Sequence, residues 1–143
     1  MSFRGYISSR DLVNGRVPQH VQNIVIRAYC EKNNLNFLLS GVEYGISNSY
    51  QMLIQIINEL NNLDGIICYT LFQFPEDQIA RRQFFYKILE KNKSIHFAVE
   101  HLIVNDFESL EKVEEIYYLN TIIHNSNGIY ADIENKLKKI SNE

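Results

Sequence analysis

Several residue types are scarce in this chain, and each scarcity narrows what the protein can be. Only two cysteines and two prolines occur among 143 residues, and tryptophan does not occur at all. Cys30 and Cys68 form no CxxC pair or cysteine–histidine cluster, which predicts buried reduced thiols and no metal site. No apolar stretch approaches the length of a transmembrane helix, and the opening MSFRGYIS lacks a signal-peptide run. We therefore expect a cytoplasmic protein with no membrane partner.

Positive charge is also scarce. The 14 Lys and Arg residues are outnumbered by 17 Asp and Glu residues, and the formal net charge is -3. Proteins that grip nucleic acid without sequence preference need a basic face that neutralises phosphates. The sequence therefore predicts no nucleic-acid partner. An apolar content of 45% is ordinary for a globular domain that buries a core.

Short β-like runs alternate with helical patterns along the chain. The pattern of Val17, Val21, Ile24, Val25, Ala28 and Tyr29 predicts a first amphipathic helix, and similar stripes follow around 52–60 and 79–89. Two further helices are expected after the last strand, around 110–121 and 130–140, separated by a break at 125–128. The predicted strands are 3–8, 36–40, 65–70 and 94–100.

Strands that alternate with helices form right-handed crossovers and a mainly parallel sheet. We therefore predict a three-layer α/β fold with a four-stranded sheet, of flavodoxin-like or related type. Residues 1–106 would form the α/β core, and the helices of residues 107–143 would pack on it or extend the same domain. Ligands of open α/β sheets bind beyond the carboxyl ends of the strands, where four loops of this chain would converge.

The first of these loops, after Ser9, is longer than most βα connections, which favours a functional role. Arg10 and Arg16 flank it, and arginine forks bind phosphate or carboxylate at two points. The helix beginning near Pro18 would aim free N–H groups at the same place. Three side chains in its first two turns would add hydrogen bonds: Gln19, His20 and Asn23.

Ser8 and Ser9 end the first strand, and a serine needs a base before it can attack a substrate. His20 is the histidine on the helix nearest to them, whereas mid-strand His96 has the position of a core residue. No fixed spacing supports a triad, so hydroxyls that hold a ligand are favoured over nucleophiles, and both interpretations stay open.

Carboxylates and aromatic rings complete the candidate site. Glu43 and Glu100 end neighbouring elements, where they could transfer protons together with His20. Tyr50 and Tyr44 lie at the predicted mouth, where rings could stack on a sugar or base. The remaining candidates for ligand binding are Ser47 and Glu76.

Roughly residues 4–106 contain the opening Gly5-Tyr6, a serine loop before an amphipathic helix and the LFQFP segment. In this order of elements the chain resembles the catalytic domain of serine recombinases, the resolvases and invertases. The resemblance implies a resolvase-like fold. In that family an arginine precedes the serine nucleophile by two residues, and aligning on Gly5-Tyr6 places Ser8 at the arginine and Arg10 at the serine.

That family also has an Asp-Arg pair and a further arginine after the third strand. Those places hold Phe72, Gln73 and Glu76 here. Cleavage of DNA by a serine needs arginines that stabilise the negative charge of the phosphoryl group in the transition state. The resemblance therefore implies a shared fold. A remote alternative for the function is an inactive recombinase relative, which has lost the strand-exchange chemistry.

Five segments together span most of the chain: GYISSR, RVPQHVQN, LLSGVEYGI, YTLFQFPED and HFAVE. In this combination the chain is similar to the bacterial family of sporadic carbohydrate cluster proteins. This resemblance implies a role in surface-polysaccharide biosynthesis and no particular reaction.

Together these patterns predict a protein that acts, as an enzyme of unspecified reaction, on a small anionic carbohydrate. A sugar phosphate, a sugar acid or a nucleotide sugar would fit, with no cofactor and no metal. The alternative is a non-catalytic assembly partner of a biosynthetic enzyme, or a homo-oligomer joined by the C-terminal helices. Tyr117 or Tyr118 would then be an exposed contact.

Overall fold

The computed structural model describes residues 2–12, 15–45 and 49–141, without the side chains of residues 124–131. Strands and helices alternate as the sequence predicts. Their bounds are β1 Ser2–Ser8, α1 Gln19–Lys32, β2 Asn36–Glu43, α2 Gln51–Asn58, β3 Gly65–Cys68, α3 Gln78–Glu90, β4 Ser94–Phe97, β5 Leu102–Val104 and α4 Phe107–Ser141. Short 3₁₀ turns occupy Leu60–Asn62 and Leu71–Gln73.

The sheet has five strands in the order β2-β1-β3-β4-β5, so the prediction of four strands was wrong. The first four pair in parallel, and β5 pairs with β4 antiparallel. β5 contains only three residues and follows a tight turn, in which His101 has a positive φ of 54°. The predicted fourth strand, 94–100, ran through this turn because HFAVE has no glycine or proline to mark it.

Helix α1 covers one face of the sheet, which we call the α1 face. Phe3 and Ile7 of β1 and Ile67 of β3 form a buried cluster there with Ile26 and Tyr29 of α1. His96 of β4 is 7% exposed on the same face, and its Nδ1 lies 2.9 Å from the Tyr29 hydroxyl. The prediction that His96 is a core histidine is confirmed.

Helices α2 and α3 cover the opposite face, which we call the α2/α3 face. Gly41 permits α2 to lie close to β2, since a Cβ at that position would lie 2.6 Å from the Sδ of Met52. Farther along the sheet, Phe74 stacks on Phe85 at 4.6 Å, and both meet the edge of Phe97. Helices on both faces explain why β3, Gly65–Cys68, is buried at every residue.

The buried side of α1 differs from the predicted apolar stripe. The buried residues are Gln22, Ile26, Tyr29 and Cys30, whereas Ile24 is 62% exposed. Gln22 can be buried because its amide pairs with the main chain of Ser8 in both directions, at 3.1 and 2.7 Å. These bonds fix the first turn of α1 to the end of β1. Both cysteines are free and buried, as predicted.

The C-terminal part is one continuous helix, so the expected break at 125–128 was wrong. Gly128 lies inside α4, where a glycine costs about 1 kcal/mol relative to alanine without ending the helix. The chain divides into two compact units, residues 1–110 and 111–143, and α4 runs from the first into the second. Within the described residues, no helix combines the length and apolarity needed to cross a membrane.

Candidate functional site

An open cavity of about 1440 Å³ lies at the carboxyl ends of β1, β2 and β3 on the α2/α3 face. Three loops contribute to its walls: the loop after β1 through Ser9, Arg10 and Arg16, the loop after β2 through Ser49 and Tyr50, and the segment 72–77 after β3. Helices α2 and α3 supply the remaining walls. The location agrees with the general rule that ligands of α/β sheets bind beyond the strand ends.

Arg10 is held at the wall of this cavity by three contacts. Its Nη1 donates to the carbonyl of Ser49 at 2.7 Å, and its Nη2 donates to the carbonyl of Gln73 at 2.8 Å. Its guanidinium also lies over the ring of Tyr50, 4.3 Å from the centroid. Carbonyl groups are neutral, so these bonds fix the position of the guanidinium without cancelling its charge. Arg10 therefore offers a preorganised positive group to a ligand.

Glu43 is the last residue of β2, and its carboxylate lies at the N-terminus of α2, outside the cavity lining. It is 3% exposed, and its carboxylate accepts from the backbone N–H of Met52 at 3.0 Å and of Leu53 at 3.3 Å. The Tyr6 hydroxyl donates to it at 3.0 Å. Burial raises the pKa of Tyr6, which keeps this donor protonated. A carboxylate so placed stabilises the positive end of the helix. The cavity geometry gives no support to its predicted proton transfer.

Glu100 has a similar relation to the 3₁₀ turn Leu71–Gln73. Its carboxylate accepts from the Thr70 hydroxyl and from the backbone N–H of Leu71 at 3.2 Å. Burial raises the pKa of Glu100, while these hydrogen bonds act in the opposite direction. Glu100 does not line the cavity, so the fourth loop that we expected at the site is absent from its walls.

Ser8 is fully buried and also lies outside the lining. Its hydroxyl accepts from Nε2 of Gln73 at 3.1 Å. The Gln73 side chain is buried as well, and its Oε1 accepts from the Thr70 N–H at 2.9 Å. Because Arg10 binds the Gln73 carbonyl, Gln73 connects the end of β1 to the segment after β3. No local sequence pattern predicts this role of Gln73.

The neighbouring Ser9 does line the cavity, half-buried, and its hydroxyl donates to the Glu43 carbonyl at 3.1 Å. Arg16 and Glu76 are exposed on the same walls. Burial raises the pKa of Tyr50, so its phenol is protonated at neutral pH. The structure therefore brings together five of the predicted site residues: Ser9, Arg10, Arg16, Tyr50 and Glu76.

Other predicted residues lie elsewhere. Gln19 and His20 begin α1 outside the cavity lining, and Asn23 accepts from the Ser40 hydroxyl at 2.7 Å. Tyr44 is 69% exposed and does not line the cavity. Ser47 falls outside the described residues. Within the described part of the chain, no three metal-binding side chains cluster.

The α3 wall was missed entirely by sequence reasoning. Ala80, Gln83, Phe84 and Lys87 line the cavity from one side of α3, at the spacing of a helix face. Phe84 lies within the predicted apolar stripe around 79–89, and the other three residues show no special pattern. The buried Arg81 holds the segment before α3 in place, since its Nη1 donates to the carbonyls of Pro75 and Glu76 at 3.1 and 2.8 Å.

The fold corresponds to that of recombinase catalytic domains. The N-terminal catalytic domain of TP901-1 integrase is similar with a TM-score of 0.54 and 14% identity, over 85% of this chain and 97% of that one. A resolvase family site-specific recombinase from Streptococcus pneumoniae has a TM-score of 0.60 and 11% identity, over 92% and 99%. No family model and no curated protein matches the chain. The expected resolvase-like fold is confirmed.

Proposed function

We propose that the protein binds a small anionic carbohydrate, such as a sugar phosphate, with its anionic group on Arg10. The observation that carries the proposal is the way Arg10 is held: two carbonyls and a tyrosine ring fix a guanidinium on the cavity wall. Such a group binds an anion with little further ordering. Arg16 lies on the same lining and supplies a second positive charge.

The carbohydrate part of the proposal rests on the similarity of YTLFQFPED and related segments to sporadic carbohydrate cluster proteins. The cavity adds compatible chemistry. Sugar hydroxyls bind to carboxylates and amides, and Asp11, Glu76, Gln51 and Gln83 all lie exposed on the walls. Asp77 has a separate task, because its carboxylate accepts from the Ala80 N–H at 2.9 Å and caps α3. If a reaction occurs here, we assign the proton transfer to Asp11 or Glu76.

The neighbours named integrase and recombinase suggest strand exchange as an alternative, and the site residues argue against it. Where the serine recombinase pattern has arginines, this chain has a fully buried Ser8, a fully buried Gln73 and the acidic Glu76. A phosphoryl transfer in which negative charge develops would gain nothing from these groups. We therefore propose that the chain retains the fold without that chemistry.

The test compares two arginines that each lie over an aromatic ring. Arg10 lies over the Tyr50 ring in the cavity. Exposed Arg27 of α1 lies 5.6 Å from the ring centroid of Phe37 of β2. Titration with glucose 1-phosphate, followed by calorimetry, should show affinity lowered about 10- to 100-fold by Arg10→Gln and unchanged by Arg27→Gln. Arg10→Lys should bind with intermediate affinity, because it keeps the charge and loses the fork. Equal affinities in the wild type and Arg10→Gln would refute the site.

A role in assembly has separate support from α4. Leu119, Ile123, Ile133, Leu137 and Ile140 are each more than 45% exposed, at intervals that fit alternating steps of three and four residues. That spacing is typical of a helix that packs along a second helix. Tyr118 is 67% exposed, whereas Tyr117 is buried. We propose self-association through this stripe. Sedimentation velocity should show an oligomer of the wild type and a monomer of the double variant Ile133→Lys with Leu137→Lys. A monomeric wild type would exclude self-association.

A further inference from the structure

The cavity continues well beyond the anion-binding end. Along α3, the lining runs from Ala80 through Phe84 to Lys87, a distance of about 10 Å at 1.5 Å per residue. The facing wall follows α2 from Tyr50 to Ile54. A volume of about 1440 Å³ is more than most small-molecule sites contain. A sugar phosphate held at Arg10 would leave this second half of the cavity unused.

The second half is apolar and aromatic where it meets the first. The Arg10 guanidinium lies over Tyr50, and the Tyr50 ring in turn lies 5.8 Å from Phe84. Phe84 is only half-buried, so part of its ring is available within the cavity. Ile54, 44% exposed, and Ala80 border the same space. A charged grip and an aromatic surface therefore lie side by side.

Two amide side chains also line the cavity from the helices that supply this aromatic surface. Gln51 on α2 and Gln83 on α3 are both exposed and both line the cavity. An amide carries donors and an acceptor, the combination that the edge of a nucleobase requires. A sugar ring can lie on an aromatic side chain only through its C–H groups, whereas a nucleobase presents a flat unsaturated face. A nucleobase matches both the ring and the amides.

We infer that the ligand is a nucleotide, with its phosphates on Arg10 and Arg16 and its base against Phe84 between α2 and α3. This inference rests on the proposed function and names its substrate class, a nucleoside diphosphate or its sugar conjugate. The juxtaposition that carries it is the continuous contact of Arg10, Tyr50 and Phe84. Base stacking on an aromatic side chain tolerates different bases, so the geometry does not select one base.

Binding of three probes separates the two halves of the cavity. UDP and ADP test the whole site, and glucose 1-phosphate tests the anion end alone. We expect the better nucleotide to bind the wild type at least about 10-fold more tightly than glucose 1-phosphate. Phe84→Ala should remove about 10-fold of the nucleotide affinity and leave glucose 1-phosphate unchanged, while Phe84→Tyr should retain nucleotide binding.

A second measurement needs no variant. In saturation-transfer NMR of the wild type, the base protons should receive more saturation than the ribose protons, because the base would be the enclosed part. Nucleotides that bind no more tightly than glucose 1-phosphate, or that lose nothing in Phe84→Ala, would overturn the inference. Arg10-dependent binding of glucose 1-phosphate would then still support the proposed function, whereas loss of all three probes would remove both.

Discussion

The two faces of the sheet use similar residues in different ways. On the α1 face, Ile26 and Tyr29 of α1 close over Phe3 of β1, and His96 is buried beside them. On the α2/α3 face, Tyr50, Ile54 and Phe84 remain partly exposed around a cavity. The charged groups differ too. The closed face contains a histidine that burial keeps neutral, whereas the open face has Arg10 fixed by carbonyls that leave it charged.

This difference shows where binding energy is available. Residues of the α1 face have already found their partners within the chain, so their contribution is to stability. The groups around the cavity have aromatic, amide and guanidinium surface left for a ligand, at some cost to the stability of the free protein. Substitutions on the two faces should therefore separate stability from binding.

The largest effect is expected from a matched pair of isoleucines. Ile26 is fully buried on the α1 face, and Ile54 is 44% exposed on the cavity wall. Ile26→Ala should lower the free energy of unfolding by about 2–5 kcal/mol because it leaves a cavity in the core. Ile54→Ala should cost less than about 1 kcal/mol, since part of its side chain already contacts water. Urea denaturation followed by circular dichroism measures both, and similar losses would contradict the contrast between the faces.

A slightly smaller effect should follow acidification. Burial lowers the pKa of His96 from 6.5 to about 4, so the folded protein binds its proton less readily than the unfolded chain. The stability that depends on neutral His96 is complete above pH 6.5 and is lost as pH falls through 4. The difference corresponds to about 3 kcal/mol.

The His96→Gln variant isolates this contribution. Glutamine can still bond the Tyr29 hydroxyl, and it does not titrate. Between pH 6.5 and pH 4 the free energy of unfolding should fall further in the wild type than in the variant. The difference between the two losses should approach about 3 kcal/mol. Glu100 acts in the opposite direction, because its raised pKa favours the folded state at acidic pH. Parallel curves for wild type and variant would show that His96 is not held neutral.

Much of the fold was predictable because strand and helix periods are local properties of the sequence. The two errors have local causes as well. β5 contains three residues, too few for an alternating pattern, and α4 continues through Gly128 because neighbouring turns outweigh one glycine. The burial of Gln22 could not be predicted, because a polar side chain is expected to be exposed unless it has a buried partner. Its partner, the main chain of Ser8, is known only from the structure.

The site was predictable only where loops and charges mark it. Arg10 and Arg16 stand in an unusually long loop, and that signal led to the cavity. Phe84 and Lys87 lie inside a helix, and their exposure depends on how α3 faces α2. Glu43 has the residue type and sequence position expected of a catalytic carboxylate. The packing of α2 on β2 instead directs two backbone N–H groups at it. Such assignments depend on tertiary contacts that no local pattern contains.

The smallest expected effect on stability concerns Glu43, whose carboxylate bonds the N-terminus of α2 on the α2/α3 face. Glu43→Gln keeps the shape of the side chain and removes the charge at the N-terminus of α2. We expect a loss of about 1–2 kcal/mol in the free energy of unfolding, since charged hydrogen bonds are replaced by weaker neutral ones. Because Tyr50 directly precedes α2, glucose 1-phosphate should also bind a few-fold more weakly.

Glu100→Gln is the matched control for the effect on α2, because the Glu100 carboxylate bonds the turn Leu71–Gln73 and makes no hydrogen bond to α2. Amide hydrogen exchange gives a local readout: the N–H groups of Met52 and Leu53 donate to Glu43, so their protection should fall in Glu43→Gln and persist in Glu100→Gln. Unchanged protection at both amides in Glu43→Gln would mean that α2, and with it the Tyr50 wall, is held by apolar packing on Gly41 and not by this carboxylate.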